Sequence, residues 1–203
     1  MDKYIYINSN SLSKEICSKI IYLFEHEEKK YCGITQQGTD KNIKDTLDYI
    51  INKNCNKWQN IYELLEKELE YNILEYIDSI TKNINYLEIE KSNIKYKLFS
   101  SNRLVNYNGF LMQKYKKENG RYIYHDDSAI DYPNKKCRVI TFIWYLNNIE
   151  EGGETEFWGT HKIIPETGKL LLFPACWTFP HRGKIPISDN KYIITGWLYI
   201  DNN

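Results

Sequence analysis

The stretch Tyr122-Ile123-Tyr124-His125-Asp126-Asp127 constrains the fold more than any other. It reads as a β-strand, in which alternate side chains share a face, so His125 and Asp127 project together while Asp126 points away. A histidine and a carboxylate on one face are two members of a facial triad, the set that holds non-haem Fe(II) and leaves the opposite side of the ion open. The third ligand must come from elsewhere, so the fold has to return a remote segment to this strand.

The chain has four histidines, at positions 26, 125, 161 and 181. His26 lies in Leu23-Phe24-Glu25-His26-Glu27-Glu28, on the charged end of an N-terminal helix, and reads as a surface residue. His161 follows Trp158-Gly159-Thr160 near a hairpin turn. His181 follows the apolar strand Leu170-Leu171-Leu172-Phe173-Pro174 and a short connection, and it is the favoured third ligand because Lys191 stands ten residues beyond it. Lys191 leads into the mostly apolar Tyr192-Ile193-Ile194-Thr195-Gly196-Trp197-Leu198-Tyr199-Ile200, where an inward ammonium would meet a dicarboxylate as a compact point charge. His161, with no lysine ten residues after it, is the alternative ligand. The competing reading of Lys191 is an exposed residue at the head of a strand.

Residues with strand character follow one another through this half: Phe110 to Tyr115, Arg121 to His125, Val139 to Leu146, Thr155 to Trp158, Lys162 to Ile164, Lys169 to Phe173 and Ile193 to Ile200, separated by turn residues. Seven or eight short strands predict a jelly roll, a double-sheet architecture. Glu151-Gly152-Gly153-Glu154 and Pro165-Glu166-Thr167-Gly168 read as tight turns. Upstream, Lys3 to Asn8 reads as an opening strand. Ser11 or Ser13 caps a helix with Leu12, Ile16, Ile20 and Leu23 on one face, ending near Lys29-Lys30. Residues 31 to 56 read as loops around one short element. Trp58, Tyr62, Leu65, Leu69, Tyr76 and Ile80 mark the buried stripe of a long helix reaching about position 82. A polar stretch around 88 to 108 follows. Both helices are expected to pack on the outside of a sheet, giving an α+β chain.

The 203 residues, 42% hydrophobic and 15% aromatic, suit one domain with a sizeable core. The expected division is 1–108 as a helical support region and 109–203 as the jelly-roll core. Formal charge is zero and the isoelectric point is near 6.9, without the basic footprint of a nucleic-acid binder. Cys17, Cys32, Cys55, Cys137 and Cys176 form no CxxC motif and read as buried small hydrophobes. With neither a signal-like N-terminus nor an apolar run of about 18 residues, a cytoplasmic or otherwise intracellular protein without a membrane partner is expected.

From about position 110 onward, Gln113-Lys114-Tyr115, Gly120, Tyr122, His125-Asp126-Asp127, Arg138, Thr141, Tyr145-Leu146-Asn147, Gly152-Gly153-Glu154-Thr155, Phe157, Pro165, Gly168, Phe173-Pro174, His181, Lys191 and Trp197 occur in an order that resembles the Fe(II)- and 2-oxoglutarate-dependent dioxygenases of the prolyl 4-hydroxylase type. HxD alone is common. Joined to a downstream histidine, a lysine ten residues later and an intervening GGET, it is specific.

The resemblance implies a double-stranded β-helix with metal at His125, Asp127 and His181, and with 2-oxoglutarate held by Lys191, Thr155 and Tyr115. It implies Tyr122, Arg138 and Trp197 beside a peptide substrate. Fe(II), 2-oxoglutarate and O2 would be required, with ascorbate as reductant, and hydroxylation of a prolyl residue in a peptide or protein would release succinate and CO2. Two alternatives remain: the same chemistry on another side chain or small molecule, and a jelly roll that binds a ligand without turnover. A nucleic-acid demethylase is disfavoured, because Arg182 and then Lys191 stand where that class has paired arginines.

Overall fold

The computed structural model describes residues 2–82, 104–105 and 109–201; most of the polar stretch 88–108 lies outside them. The elements in chain order are β1 (Tyr6–Asn8), α1 (Lys14–Glu25), β2 (Tyr31–Cys32), β3 (Lys44–Asp45), β4 (Leu47–Ile51), α2 (Asn56–Lys82), β5 (Leu104–Val105), β6 (Phe110–Tyr115), β7 (Arg121–His125), β8 (Ile130–Asp131), β9 (Lys136–Tyr145), β10 (Thr155–Phe157), β11 (His161–Ile163), β12 (Leu170–Pro174), β13 (His181–Gly183) and β14 (Lys191–Asp201). They form two antiparallel sheets. The larger runs β1-β12-β9-β14-β6-β4-β2, with β5 on β14 and β8 on β9; the smaller runs β11-β10-β13-β7-β3.

Period-two alternation assigns the two faces of the large sheet. Phe142, Trp144, Leu170, Leu172 and Ile194 join the cluster containing Ile20 and Phe24 of α1 and Trp58, Leu65, Leu69 and Tyr76 of α2. Their neighbours Ile143, Tyr145, Leu171, Phe173 and Ile193 pack with Phe157, Ile163 and Phe179 on the small-sheet side. Helices therefore cover one face of the large sheet and the small sheet covers the other. Burial on both faces explains the nearly unbroken apolar run of Leu170 to Phe173. The two facing sheets are consistent with a jelly-roll core.

Several elements depart from the sequence reading. Ser13 caps α1, its hydroxyl accepting from the Ile16 N–H. The helix ends at Glu25, short of Lys29-Lys30, yet Lys30 reaches back and donates to the carbonyls of Phe24 and Glu25, so a cation still satisfies the helix end. Phe24 is fully buried in the core, and Leu23 packs against it half-buried. Residues 31–56, read as loops around one element, contribute three strands: β2 and β4 extend the large sheet and β3 edges the small one. The connection before His181 gives way to a strand at the histidine itself. Among the cysteines only Cys17 is buried, and Cys32 is exposed. No helix among the described residues is long and apolar enough to cross a membrane.

Candidate metal centre and anion pocket

His125 ends β7, Asp127 follows two residues later, and His181 opens β13. Antiparallel pairing of β7 with β13 sets His181 directly opposite His125. Their ligating atoms and an oxygen of Asp127 all lie within 4.8 Å of one another. The His181 Nε2 stands 3.5 Å from Asp127 Oδ2, and the His125 Nε2 stands 3.9 Å from Asp127 Oδ1. Asp127 and His181 are buried, whereas Asp126 is exposed, as strand alternation predicts. His161 heads β11 at the edge of the small sheet. It sits across Phe157 from His181, outside the cluster, and His26 is an exposed cap of α1.

Backbone carbonyls orient both imidazoles. The Nδ1 of His125 lies 2.8 Å from the Ile123 carbonyl and that of His181 lies 3.0 Å from the Phe179 carbonyl. A carbonyl only accepts, so each Nδ1 carries the proton and each Nε2 turns a lone pair into the site. Burial, reinforced by the nearby His181, pushes His125 down to about 4, which keeps it neutral near pH 7. Burial works against ionisation of Asp127, but His181, His125 and the Thr141 hydroxyl outweigh it and hold the carboxyl below its usual range. Thr141 of β9 donates to Asp127 Oδ2 at 2.7 Å. Two imidazoles and one carboxylate beside an open cavity fit a non-haem Fe(II) ion.

The cavity, about 670 Å³, lies between the sheets. On β14 the alternate residues Lys191, Ile193, Thr195 and Trp197 face it. Lys191 is only 1% exposed, and its Nζ donates to the Gly153 carbonyl at 2.9 Å and lies 3.9 Å from the Tyr115 ring centroid. Burial pushes its ammonium down from 10.5 to about 7, against an opposing pull from Glu154, a carboxylate 3.4 Å from Lys184. Gly153 can present its carbonyl because the turn takes positive φ at both Gly152 and Gly153, where L side chains are strained. A buried ammonium whose hydrogen-bonded partner is a carbonyl fits an anionic ligand.

Thr155 is buried beside this turn. Its oxygen accepts from the Tyr145 hydroxyl at 2.7 Å, so its own proton can serve an acceptor in the cavity. The buried Tyr115 hydroxyl stands 3.4 Å from Gln113 Oε1. A Cβ at position 183 would come within 3.0 Å of the Tyr115 ring, which explains the glycine there.

Two bulges aim further side chains into the cavity. Between Tyr122 and His125, β7 carries one residue more than its partner β13, and the Tyr122 and His125 rings stack with centroids 3.5 Å apart. On β9, Val139 is the extra residue opposite Leu198 and Tyr199. The shift lays the Arg138 guanidinium 3.7 Å from the Trp197 ring centroid, with its Nε donating to the Tyr199 hydroxyl. Every residue singled out from the sequence as metal-, co-substrate- or substrate-facing thus lines one cavity.

Residues 110–199 match the family model of the 2OG-Fe(II) oxygenase superfamily. That matched segment, residues 110–199, is a dioxygenase domain of that superfamily. Solved structures of similar fold include a Trichoplax adhaerens prolyl hydroxylase in complex with a hypoxia-inducible factor oxygen degradation domain peptide fragment. It is 18% identical with a TM-score of 0.71, covering 98% of this chain and 84% of the other. A viral collagen prolyl hydroxylase from Paramecium Bursaria Chlorella virus-1, in its 2OG complex, is 18% identical with a TM-score of 0.62, covering 97% and 96%. A Pseudomonas putida prolyl-4-hydroxylase is 15% identical with a TM-score of 0.64, covering 96% and 91%. No curated protein matches the chain.

Sequence reasoning missed Lys44 and the segment Ile34 to Gln37, which also line this cavity. The run of β-formers Tyr49-Ile50-Ile51 was a strand signal for their surroundings; nothing marked Lys44 itself.

Proposed function

We propose that this dioxygenase domain hydroxylates prolyl residues of a peptide or protein, consuming 2-oxoglutarate and O2 and releasing succinate and CO2. The observation that carries the co-substrate assignment is the buried Lys191 ammonium across the cavity from two histidines and a carboxylate. His125, Asp127 and His181 would hold Fe(II) through both Nε2 atoms and a carboxylate oxygen. When bound, the iron and co-substrate supply the oxidising chemistry, and the protein supplies geometry, a dry pocket and charge.

Lys191 pairs with the distal carboxylate of 2-oxoglutarate, exchanging its single carbonyl partner for a full opposite charge. Thr155 donates its free hydroxyl proton to that carboxylate, and Tyr115 turns its hydroxyl from Gln113 toward the same group. Thr141 fixes the Asp127 carboxylate, and the carbonyls of Ile123 and Phe179 keep both imidazoles in the ligating tautomer. At the mouth, Tyr122 and Trp197 offer aromatic faces suited to a proline ring, and Arg138, stacked on Trp197, offers donors to a backbone carbonyl. Ascorbate would restore iron oxidised in unproductive cycles. The prolyl fold relatives and the peptide bound to one of them support a peptide over a free small molecule.

The test supplies purified protein with Fe(II), ascorbate, 2-oxoglutarate and proline-rich peptides. Succinate release and a peptide mass gain of one oxygen are expected. Equal turnover on peptides lacking proline would reject the prolyl assignment, and no succinate under any condition would reject the oxygenase reading.

A further inference from the structure

Between β3 and β4 the chain changes sheets. Lys44 and Asp45 pair with Tyr122 and Arg121 in the small sheet, and from Leu47 onward the chain pairs with β6 in the large one. Thr46 is the corner. Across it, the Lys44 Nζ meets Asp48 Oδ2 at 2.9 Å, with the side chains 5% and 1% exposed. The same Oδ2 accepts from Gln113 Nε2 at 3.1 Å. A carboxylate only accepts, so Asp48 takes the amide end of Gln113 and turns its Oε1 toward the Tyr115 hydroxyl. On the other side, the Lys44 ammonium lies 5.4 Å from the Tyr122 ring centroid, and that ring stacks on His125.

One ion pair therefore stands between the small-sheet residues Tyr122 and His125 and the large-sheet residues Gln113 and Tyr115, with Lys191 against the Tyr115 ring. We infer that Lys44 and Asp48 are a positioning pair: a clasp across the sheet corner that sets the spacing between the metal ligands and the anchor for the distal carboxylate. The inference rests on the 2-oxoglutarate reading of the pocket. Fold stability alone does not account for the pair, because a buried ion pair is commonly matched or bettered by apolar residues of similar volume. Here Asp48 Oδ1 and Thr46 Oγ1 are buried without hydrogen-bond partners among the described residues, so the corner keeps a polar cost that an apolar corner would avoid. Lys44 also lines the cavity, placing the clasp at its wall.

The test compares wild type with Lys44→Met/Asp48→Leu, an apolar replacement of the pair, with Asp48→Asn, and with Lys44→Arg, which keeps the charge. The readouts are Fe(II) affinity, 2-oxoglutarate affinity by calorimetry of the Fe(II)-loaded protein under argon, and the split between KM and kcat for 2-oxoglutarate. The double variant and Asp48→Asn are expected to weaken 2-oxoglutarate binding by about 10–100-fold, the equivalent of one charge-assisted hydrogen bond. The change should fall on KM more than on kcat, with Fe(II) affinity preserved and Lys44→Arg close to wild type. Unchanged 2-oxoglutarate affinity in cooperatively folded variants would overturn the clasp, as would an equal loss of Fe(II) affinity, which marks general loosening. Should the double variant not fold, Asp48→Asn decides on the same readouts. If wild type itself binds no 2-oxoglutarate, the oxygenase reading falls and the clasp with it; wild-type binding with no variant effect removes the clasp alone.

Discussion

The two sheets meet at one cavity but contribute to it differently. The small sheet is built of strands of two to five residues, and its share of the site comes from strand ends and a bulge: His125 at the close of β7, Asp127 beyond it, and His181 at the start of β13. The large sheet carries the eleven-residue β14, buried on both faces, and delivers Lys191, Thr195 and Trp197 by plain alternation. A metal needs donors converging from several directions, which irregular strand ends provide. A dicarboxylate needs one charge at a fixed depth, which a long strand between two packed layers provides.

Removing a small-sheet donor should have the largest effect. His181→Ala and His125→Ala are expected to abolish Fe(II)-dependent succinate formation while leaving a cooperative thermal transition. Full turnover in either variant would break the assignment of metal chemistry to that sheet. The large-sheet counterpart is graded. Lys191→Ala removes one partner of a buried ion pair, a loss of about 3–5 kcal/mol, or about two to three and a half decades. Titrating turnover against 2-oxoglutarate should show the loss in the apparent co-substrate constant with the metal still bound. An unchanged constant would remove Lys191 from the pocket.

Arg138→Met separates peptide from co-substrate on the same large sheet. Loss of a charged hydrogen bond of about 1.5 kcal/mol should raise the peptide KM roughly tenfold, without altering peptide-independent succinate release. A matching fall in that uncoupled rate would show that Arg138 serves the co-substrate instead.

The smallest effect is a pH dependence. The Lys191 ammonium titrates near 7 in the free protein, so it is protonated below that pH and increasingly neutral above it. A dianion binds the protonated form, so 2-oxoglutarate affinity should be greatest below pH 7 and fall about fivefold between pH 7 and 8, with proton uptake per ligand rising from about one half at pH 7 toward one at pH 8. Calorimetry in buffers of different ionisation enthalpy measures that uptake. Without co-substrate the sign for folding is opposite: the unfolded chain keeps the lysine proton to about 10.5, so this group's burial penalty shrinks as pH rises from 7 toward that value. A pH-independent affinity would place Lys191 in a wetter setting than its burial indicates.

Much of this was legible in the chain because the signals are local. The stripe from Trp58 to Ile80 marks α2, all six of its residues being buried, and β6 and β7 have the predicted bounds. His125 and Asp127 share a face because strand period is two, and the GGET glycines mark a turn that only positive φ allows. The segments that failed carry weak local preference. Residues 31–56 are polar, and β2 and β3 are two-residue strands held by pairing with β4 and β7; no periodicity can appear in two residues. His181 was credited to a connection because β13 is three residues long and exists through its neighbours β10 and β7.

The sequence by itself determined the donor types, their spacing, the lysine ten residues after the second histidine and the strand alternation that turns each inward, since these depend on side-chain chemistry and backbone period. Tertiary structure decided the rest. It set His181 rather than His161 opposite His125, used bulges at Val139 and between Tyr122 and His125 to bring Arg138 and Tyr122 to the cavity, and joined Lys44 to Asp48 across the sheet corner. Each of these depends on which strands become neighbours and in what register, and burial of both faces of the large sheet fixes that for the whole chain at once.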